Sequence, residues 1–179
     1  GGHLARGLTD GAFRTMDDGV RANPEDYALL AEYGKALVAA GKPREAEEVL
    51  QRAVALIDFD PDSWAALGRA RLAAGDAPRA IEALDRALAL DDSVSSVYGG
   101  LGYAYRMAGR TEEAMRAWER AIALNPGDDF STYQLGLACL ERGDKARARK
   151  LFTAILEARS GELTPQERDR LTALIEKCK

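Results

Sequence analysis

Nucleophilic, metal and redox chemistry each need a few side chains at fixed spacing, and the chain offers few candidates. His3 is the only histidine, so a Ser-His or Cys-His nucleophile pair, or a histidine metal site, has nothing else to be built on. It directly follows Gly1-Gly2, which reads as an expression-tag remnant. Cys139 and Cys178 form no CxxC or other ligand spacing, and reduced thiols are expected. The stretch DFDPDSW at 58–64 alternates aspartates as a calcium loop does, but Ser63 replaces the required glycine and Arg69 the bidentate glutamate. A turn followed by an N-cap explains it better. The stretch GGLGYAY has the start of a dinucleotide loop, yet Tyr105 stands where the third glycine belongs and no strand precedes it. The carboxylate pairs Asp17/Asp18, Asp91/Asp92 and Asp128/Asp129 lie in polar stretches, without the burial that general acid–base work needs. No enzyme activity, cofactor or metal is expected.

Composition narrows the remaining classes. The chain has 179 residues with 46% apolar content, enough to bury a core, and its 25 basic and 29 acidic residues give a net charge of −4. There is no basic stripe with interleaved aromatics to follow a phosphate backbone, so nucleic acid is not an expected partner. Apolar runs such as ALVAA at 36–40 are far short of the roughly 20 residues that span a bilayer. Heavy use of Ala and Arg points to a bacterial source. A cytoplasmic setting is favoured, with a periplasmic one open should a targeting segment have been removed.

The elements that would position any site are set by an internal repeat. Gly34/Gly41, Gly68/Gly75, Gly102/Gly109 and Gly136/Gly143 are pairs seven residues apart, and each pair follows the last by 34 residues. Ala46, Ala80, Ala114 and Ala148 keep the same step, as do Leu50, Leu84, Trp118 and Phe152. Within a copy, Trp64, Leu67, Gly68 and Arg71 recur at helical spacing, and Ala80, Leu84, Ala87 and Leu88 do so after the second glycine. Each copy is therefore two helices and a turn. Asp60-Pro61 reads as an N-cap and first turn, Thr111 before Glu112 and Glu113 opens another helix, and Gly41, Gly75, Gly109 and Gly143 stand where a helix stops in a left-handed residue.

These residues resemble the tetratricopeptide repeat family. Its pattern is matched in the third copy by Tyr98, Leu101-Gly102, Tyr105, Gly109, Ala114, Trp118, Ala121 and Pro126. The second copy departs at Arg71, where the family has an aromatic, and at Asp92; the fourth departs at Thr132, Cys139, Ile155 and Ser160. The copies run 27–60, 61–94, 95–128 and 129–162. The resemblance implies an all-α solenoid, a right-handed superhelix of 34-residue helix-turn-helix repeats, with each first helix lining a concave groove. Residues 1–26 read as a partial repeat, mostly its second helix, with Gly7 in the turn column. Thr164-Pro165-Gln166-Glu167 opens a capping helix within 163–179, with Leu171, Leu174, Ile175 and Cys178 on one face, and all of it is expected to form one domain.

The face of each first helix opposite its packing stripe is where a ligand is expected. It reads Ala28, Ala31, Lys35, Val38; Asp62, Ala65, Arg69, Leu72; Ser96, Gly99, Tyr103, Arg106; and Phe130, Tyr133, Leu137, Leu140. Gly99 and Gly100, peculiar to the third copy, are expected to open space on the inner wall beside Tyr103, Phe130 and Tyr133. Lys35, Arg69 and Arg106 would form a basic line. Val38, Leu72 and Leu140 are read as packing between copies. The family's carboxylate clamp uses inner-face lysines and asparagines; no asparagine lies on this face, and that function is not carried over. The function expected is a non-catalytic scaffold binding a peptide or helix of another protein, acidic and apolar, in the groove. The alternatives are self-assembly through an exposed N-terminal face of Phe13, Met16 and Val20, or the recruiting segment of a longer enzyme.

Overall fold

Four glycines take positive φ, Gly41 at 71°, Gly75 at 85°, Gly109 at 74° and Gly143 at 82°, and each turns one helix into the next. The residue after each glycine closes the turn by bonding back to the helix just ended, as Arg110 N does to Tyr105 O at 2.8 Å. The computed structural model describes residues 2–179, with side chains from residue 11 onward. Its helices, among the described residues, are α1 (Gly2–Ala22), α2 (Tyr27–Ala39), α3 (Pro43–Leu56), α4 (Pro61–Ala73), α5 (Ala77–Leu90), α6 (Ser95–Met107), α7 (Thr111–Leu124), α8 (Asp129–Glu141), α9 (Lys145–Ala158) and α10 (Pro165–Lys177). They fall into two compact units, the first ending at Asp92 and the second spanning Ser93–Lys179. The second helix of each hairpin carries the steeper amphipathic pattern because it has one wet side.

In the first unit α2 packs on α3 and α4 on α5, α3 joins the two hairpins, and α1 lies against α2. Close approach within a hairpin rests on a glycine facing a large residue. A Cβ on Gly68 would lie 2.6 Å from Leu84 Cγ, so only hydrogen fits between the helices. Arg71, the departure from the family aromatic, buries its guanidinium against Glu47 of α3, with Nε 3.1 Å from Oε1. Asp60 caps α4 by accepting from Asp62 N and Ser63 N, and it also accepts from the Tyr27 hydroxyl of α2.

Burial pushes the Asp60 carboxyl up, but the bonds from Ser63 and Tyr27 outweigh it and leave the group below its ordinary value. A carboxylate depressed in the fold adds stability at pH values above its unfolded pKa, and that stability is lost as pH falls through the folded value. Asp60→Asn keeps the cap yet cannot titrate. Its urea midpoint is expected to fall less steeply than the wild type's as pH drops below about 4, the usual aspartate range.

Two expectations fail in this unit. α1 runs unbroken from Gly2 to Ala22, so Gly7 does not form a turn. Glycine permits a turn without compelling one, and the few residues before Gly7 are too short for a helix onto which a turn could close. Nor is the face of Phe13, Met16 and Val20 an exposed end. Val20 is buried, Phe13 and Met16 pack on the same core, and the Phe13 ring meets Tyr33 with a centroid separation of 6.3 Å. The tag-remnant reading falls on Gly1 and the His3 side chain, which lie outside the described residues.

In the second unit α6 pairs with α7 and α8 with α9, α7 meets α8, α6 touches α8, and α10 lies on α9. Trp118 and Phe152 fill the large positions facing Gly102 and Gly136 and are fully buried. Thr111 opens α7, with Glu112 and Glu113 in its first turn. Arg110 occupies the cap position, its guanidinium bonded to Glu113 at 2.8 Å and stacked 4.5 Å from the Tyr105 ring centroid. The Thr164–Glu167 capping box starts α10, whose Leu171 is buried in one cluster with Phe152, Ile155 and the C-cap residue Cys178.

Candidate functional site

The N-terminus of α8 is built on Asp128. Its carboxylate accepts from Ser131 N at 3.0 Å and Ser131 Oγ at 2.8 Å, and the Ser95 hydroxyl of α6 lies 3.2 Å from Oδ2. The same arrangement of Asp60, Ser63 and Tyr27 stands two repeats earlier in the sequence. This junction covers Gly99. A Cβ there would meet Ser131 Oγ at 3.0 Å, Asp128 Oδ2 at 3.7 Å and Phe130 Cδ1 at 3.8 Å, while Gly99 O accepts from Trp118 Nε1 at 3.3 Å.

The space over Gly99 is therefore taken by the next hairpin and is not open wall; Gly100 beside it is half-buried. The sequence shows that a small residue is required but not what lies above it. Gly99→Leu is expected to lower the melting temperature outright, with an overpacking cost of about 1–3 kcal/mol. An unchanged thermal unfolding curve would restore the open-wall reading.

The other third- and fourth-copy residues form an aromatic surface. Tyr103 of α6 and Phe130 of α8 meet with ring centroids 6.3 Å apart, and Phe130 remains 50% exposed. Tyr133, one turn further along α8, is half-buried with its ring 5.8 Å from Phe152 on one side and 5.3 Å from the Arg170 guanidinium on the other. Leu137 packs on the core of the unit. Arg106 Nη1 lies 3.9 Å from Glu141 Oε1 across the same two helices.

Two of the three cations expected to form a basic line have carboxylates beside them. Arg106 has that carboxylate near it, and in the first unit Lys35 Nζ turns to Glu32 Oε1 at 3.1 Å. Arg69 is exposed on α4. A surface cation paired in this way offers an incoming acid little net attraction.

Sequence reasoning missed Arg170 and Leu163. Both join Phe130, Tyr133, Ile155 and Leu171 around a cavity of about 270 Å³. Helical period placed Leu171 inside but carried no signal for which neighbours the solvent side of α10 would meet. Cys139 and Cys178 are free and buried, and burial pushes the Cys139 thiol up from its ordinary value, away from the reactive thiolate. Among the described residues no group of three or more His, Cys, Asp or Glu side chains is placed to hold a metal ion. No helix among them is long and apolar enough to cross a membrane.

Two models of the tetratricopeptide repeat match the sequence, one over residues 65–129 and 117–162 and the other over 3–70. The chain belongs to the tetratricopeptide repeat family. Its all-α repeat fold is shared with solved structures of that family. A crystal structure of MamA is 30% identical with a TM-score of 0.80, covering 88% of this chain and 92% of that one. MamA 41-end from Desulfovibrio magneticus RS-1 is 24% identical with a TM-score of 0.79, covering 89% and 91%. YrrB, described as a TPR protein with an unusual peptide-binding site, is 17% identical with a TM-score of 0.70, covering 91% and 90%, a likeness of fold alone. No curated protein matches the sequence. The tetratricopeptide repeat is in general a non-catalytic scaffold fold, and the repeats of this chain support a protein-interaction scaffold.

Proposed function

We propose that the α6–α8 face binds a peptide or helix of a partner protein, with Tyr103, Phe130 and Tyr133 as its anchors. The observation that carries this reading is the Tyr103–Phe130 pair, two rigid rings held together by packing with one of them half in water. Aromatic side chains fixed in place bind with little loss of conformational freedom and are enriched among residues that dominate interfaces. The repeat phasing 27–60, 61–94, 95–128 and 129–162 makes α6 and α8 first helices, the ones that line the ligand face in this family. The peptide-binding site named for YrrB gives the reading further support. The partner segment is mainly apolar, because Lys35 and Arg106 already have carboxylates beside them. Arg69 and Leu137 have a supporting place only, as exposed charge and as packing.

Selection from a random-peptide display library tests this. Sequences rich in apolar residues should be enriched on the wild-type chain and lost on Phe130→Ala, whose half-exposed ring is not needed for folding. Equal enrichment on both chains would contradict the assignment.

A further inference from the structure

We propose that the chain self-associates by seating Phe59 of one copy in the cavity between α8 and α10 of another. Phe59 stands in the turn between α3 and α4 and is 70% exposed, the most exposed large apolar side chain among the described residues. The turn does not need the ring. It is held by Asp58 O, which accepts from Trp64 Nε1 at 2.8 Å, and by Asp60 at the cap of α4. An aromatic ring left in water at a turn is a surface waiting for cover.

The cavity in the second unit has the complementary chemistry. Its walls are Phe130, Tyr133, Ile155, Leu163 and Leu171, and its volume of about 270 Å³ suits one large side chain. Sites for small organic ligands start at roughly 300 Å³. Most charges around it are committed. Arg159 bonds Asp129 at 3.0 Å and Glu162 at 3.0 Å, and Glu167 accepts from Thr164 N at 2.9 Å and Thr164 Oγ1 at 2.8 Å. Arg170 has only the Tyr133 ring and no carboxylate partner among the described residues. The fitting occupant brings a ring and an adjacent carboxylate, and Phe59 is preceded by Asp58. That carboxylate is 68% exposed, with Arg86 3.3 Å away as its cation, so it can reach a second guanidinium.

The two patches differ, so the contact is heterologous and repeats from copy to copy or closes on itself. The cavity shares Phe130 and Tyr133 with the proposed peptide face, so a bound peptide would compete with association, whereas Phe59→Ala removes association and leaves that face intact.

Sedimentation velocity on the full chain over a concentration series, at low ionic strength to preserve the ion pair, tests the contact. The average mass of the wild type should rise with concentration. Phe59→Ala and Arg170→Glu should each weaken association at least about tenfold, since both remove a central anchor, and neither changes a buried residue. Asp58→Lys combined with Arg170→Glu should recover part of the loss. An equimolar mixture of Phe59→Ala and Phe130→Ala chains should form mixed dimers, because one keeps the cavity and the other keeps the ring. A wild type monomeric at every concentration overturns the proposal, even if the cavity holds another protein. So does Phe59→Ala associating like the wild type, or Arg170→Glu having no effect.

Discussion

Glu47→Ala should lower the unfolding free energy by about 3 kcal/mol, the lower end of what removing one partner of a buried ion pair costs. Glu47 is 13% exposed and Arg71 11%, so both charges are largely withdrawn from water. Glu47 Oε1 receives Arg71 Nε at 3.1 Å and Arg79 Nη1 at 3.0 Å. Without the carboxylate, the Arg71 guanidinium keeps only its bond to Arg79 O at 2.9 Å. Arg79 is 53% exposed, and Arg79→Ala should cost far less than Glu47→Ala. Arg71 stands where the family has an aromatic, so the pair replaces apolar packing. Glu47→Leu with Arg71→Tyr should therefore be close to neutral or stabilising, since exchanging both charges removes the desolvation cost along with the attraction. Urea unfolding of the two single variants and the double variant measures this. A double variant as unstable as Glu47→Ala would show that the site does not accept the family's apolar solution.

Trp118→Ala should cost about 3–5 kcal/mol, as for other large aromatics deleted from a core. The indole is fully buried, it donates to Gly99 O at 3.3 Å, and it lies over Gly102, where a Cβ would come within 2.4 Å of Nε1. Gly102→Ala should overpack the same contact by about 1–3 kcal/mol, because a buried indole cannot swing aside. The two changes act on one space in opposite senses. Gly102→Ala combined with Trp118→Ala should therefore cost less than the sum of the singles, with the added methyl filling part of the vacated volume. Strict additivity in urea unfolding would show that the close approach of α6 and α7 does not depend on this pair.

What was legible in the sequence followed the range of the interactions. The turn glycines and the columns of small and large residues report contacts within one hairpin, and a fixed period exposes them because every copy repeats them. The cap at Asp60 and the Thr164–Glu167 box are local and could be read residue by residue. Arg71 showed as a departure, but its partner Glu47 lies on an earlier hairpin and no spacing rule reaches it. Gly99 was misread for a related reason: a missing side chain marks a close approach without saying whether protein or ligand makes it. Ser131 and Asp128 of the next hairpin make it. The face of Phe13, Met16 and Val20 was correctly apolar but is covered by α2. The aromatic surface of Tyr103 and Phe130 could be placed from helical spacing, whereas Arg170 could not, because α10 lies outside the period.

Calorimetric titration of a display-selected peptide into the wild type and into Tyr103→Ala tests the proposed binding face most directly, with melting temperatures taken on the same samples. Tyr103 is half-buried against Phe130, so removing it should leave most of the fold's stability and weaken the peptide at least about tenfold, the loss expected for an interface anchor. Equal affinity for both chains would contradict the α6–α8 face as the partner site.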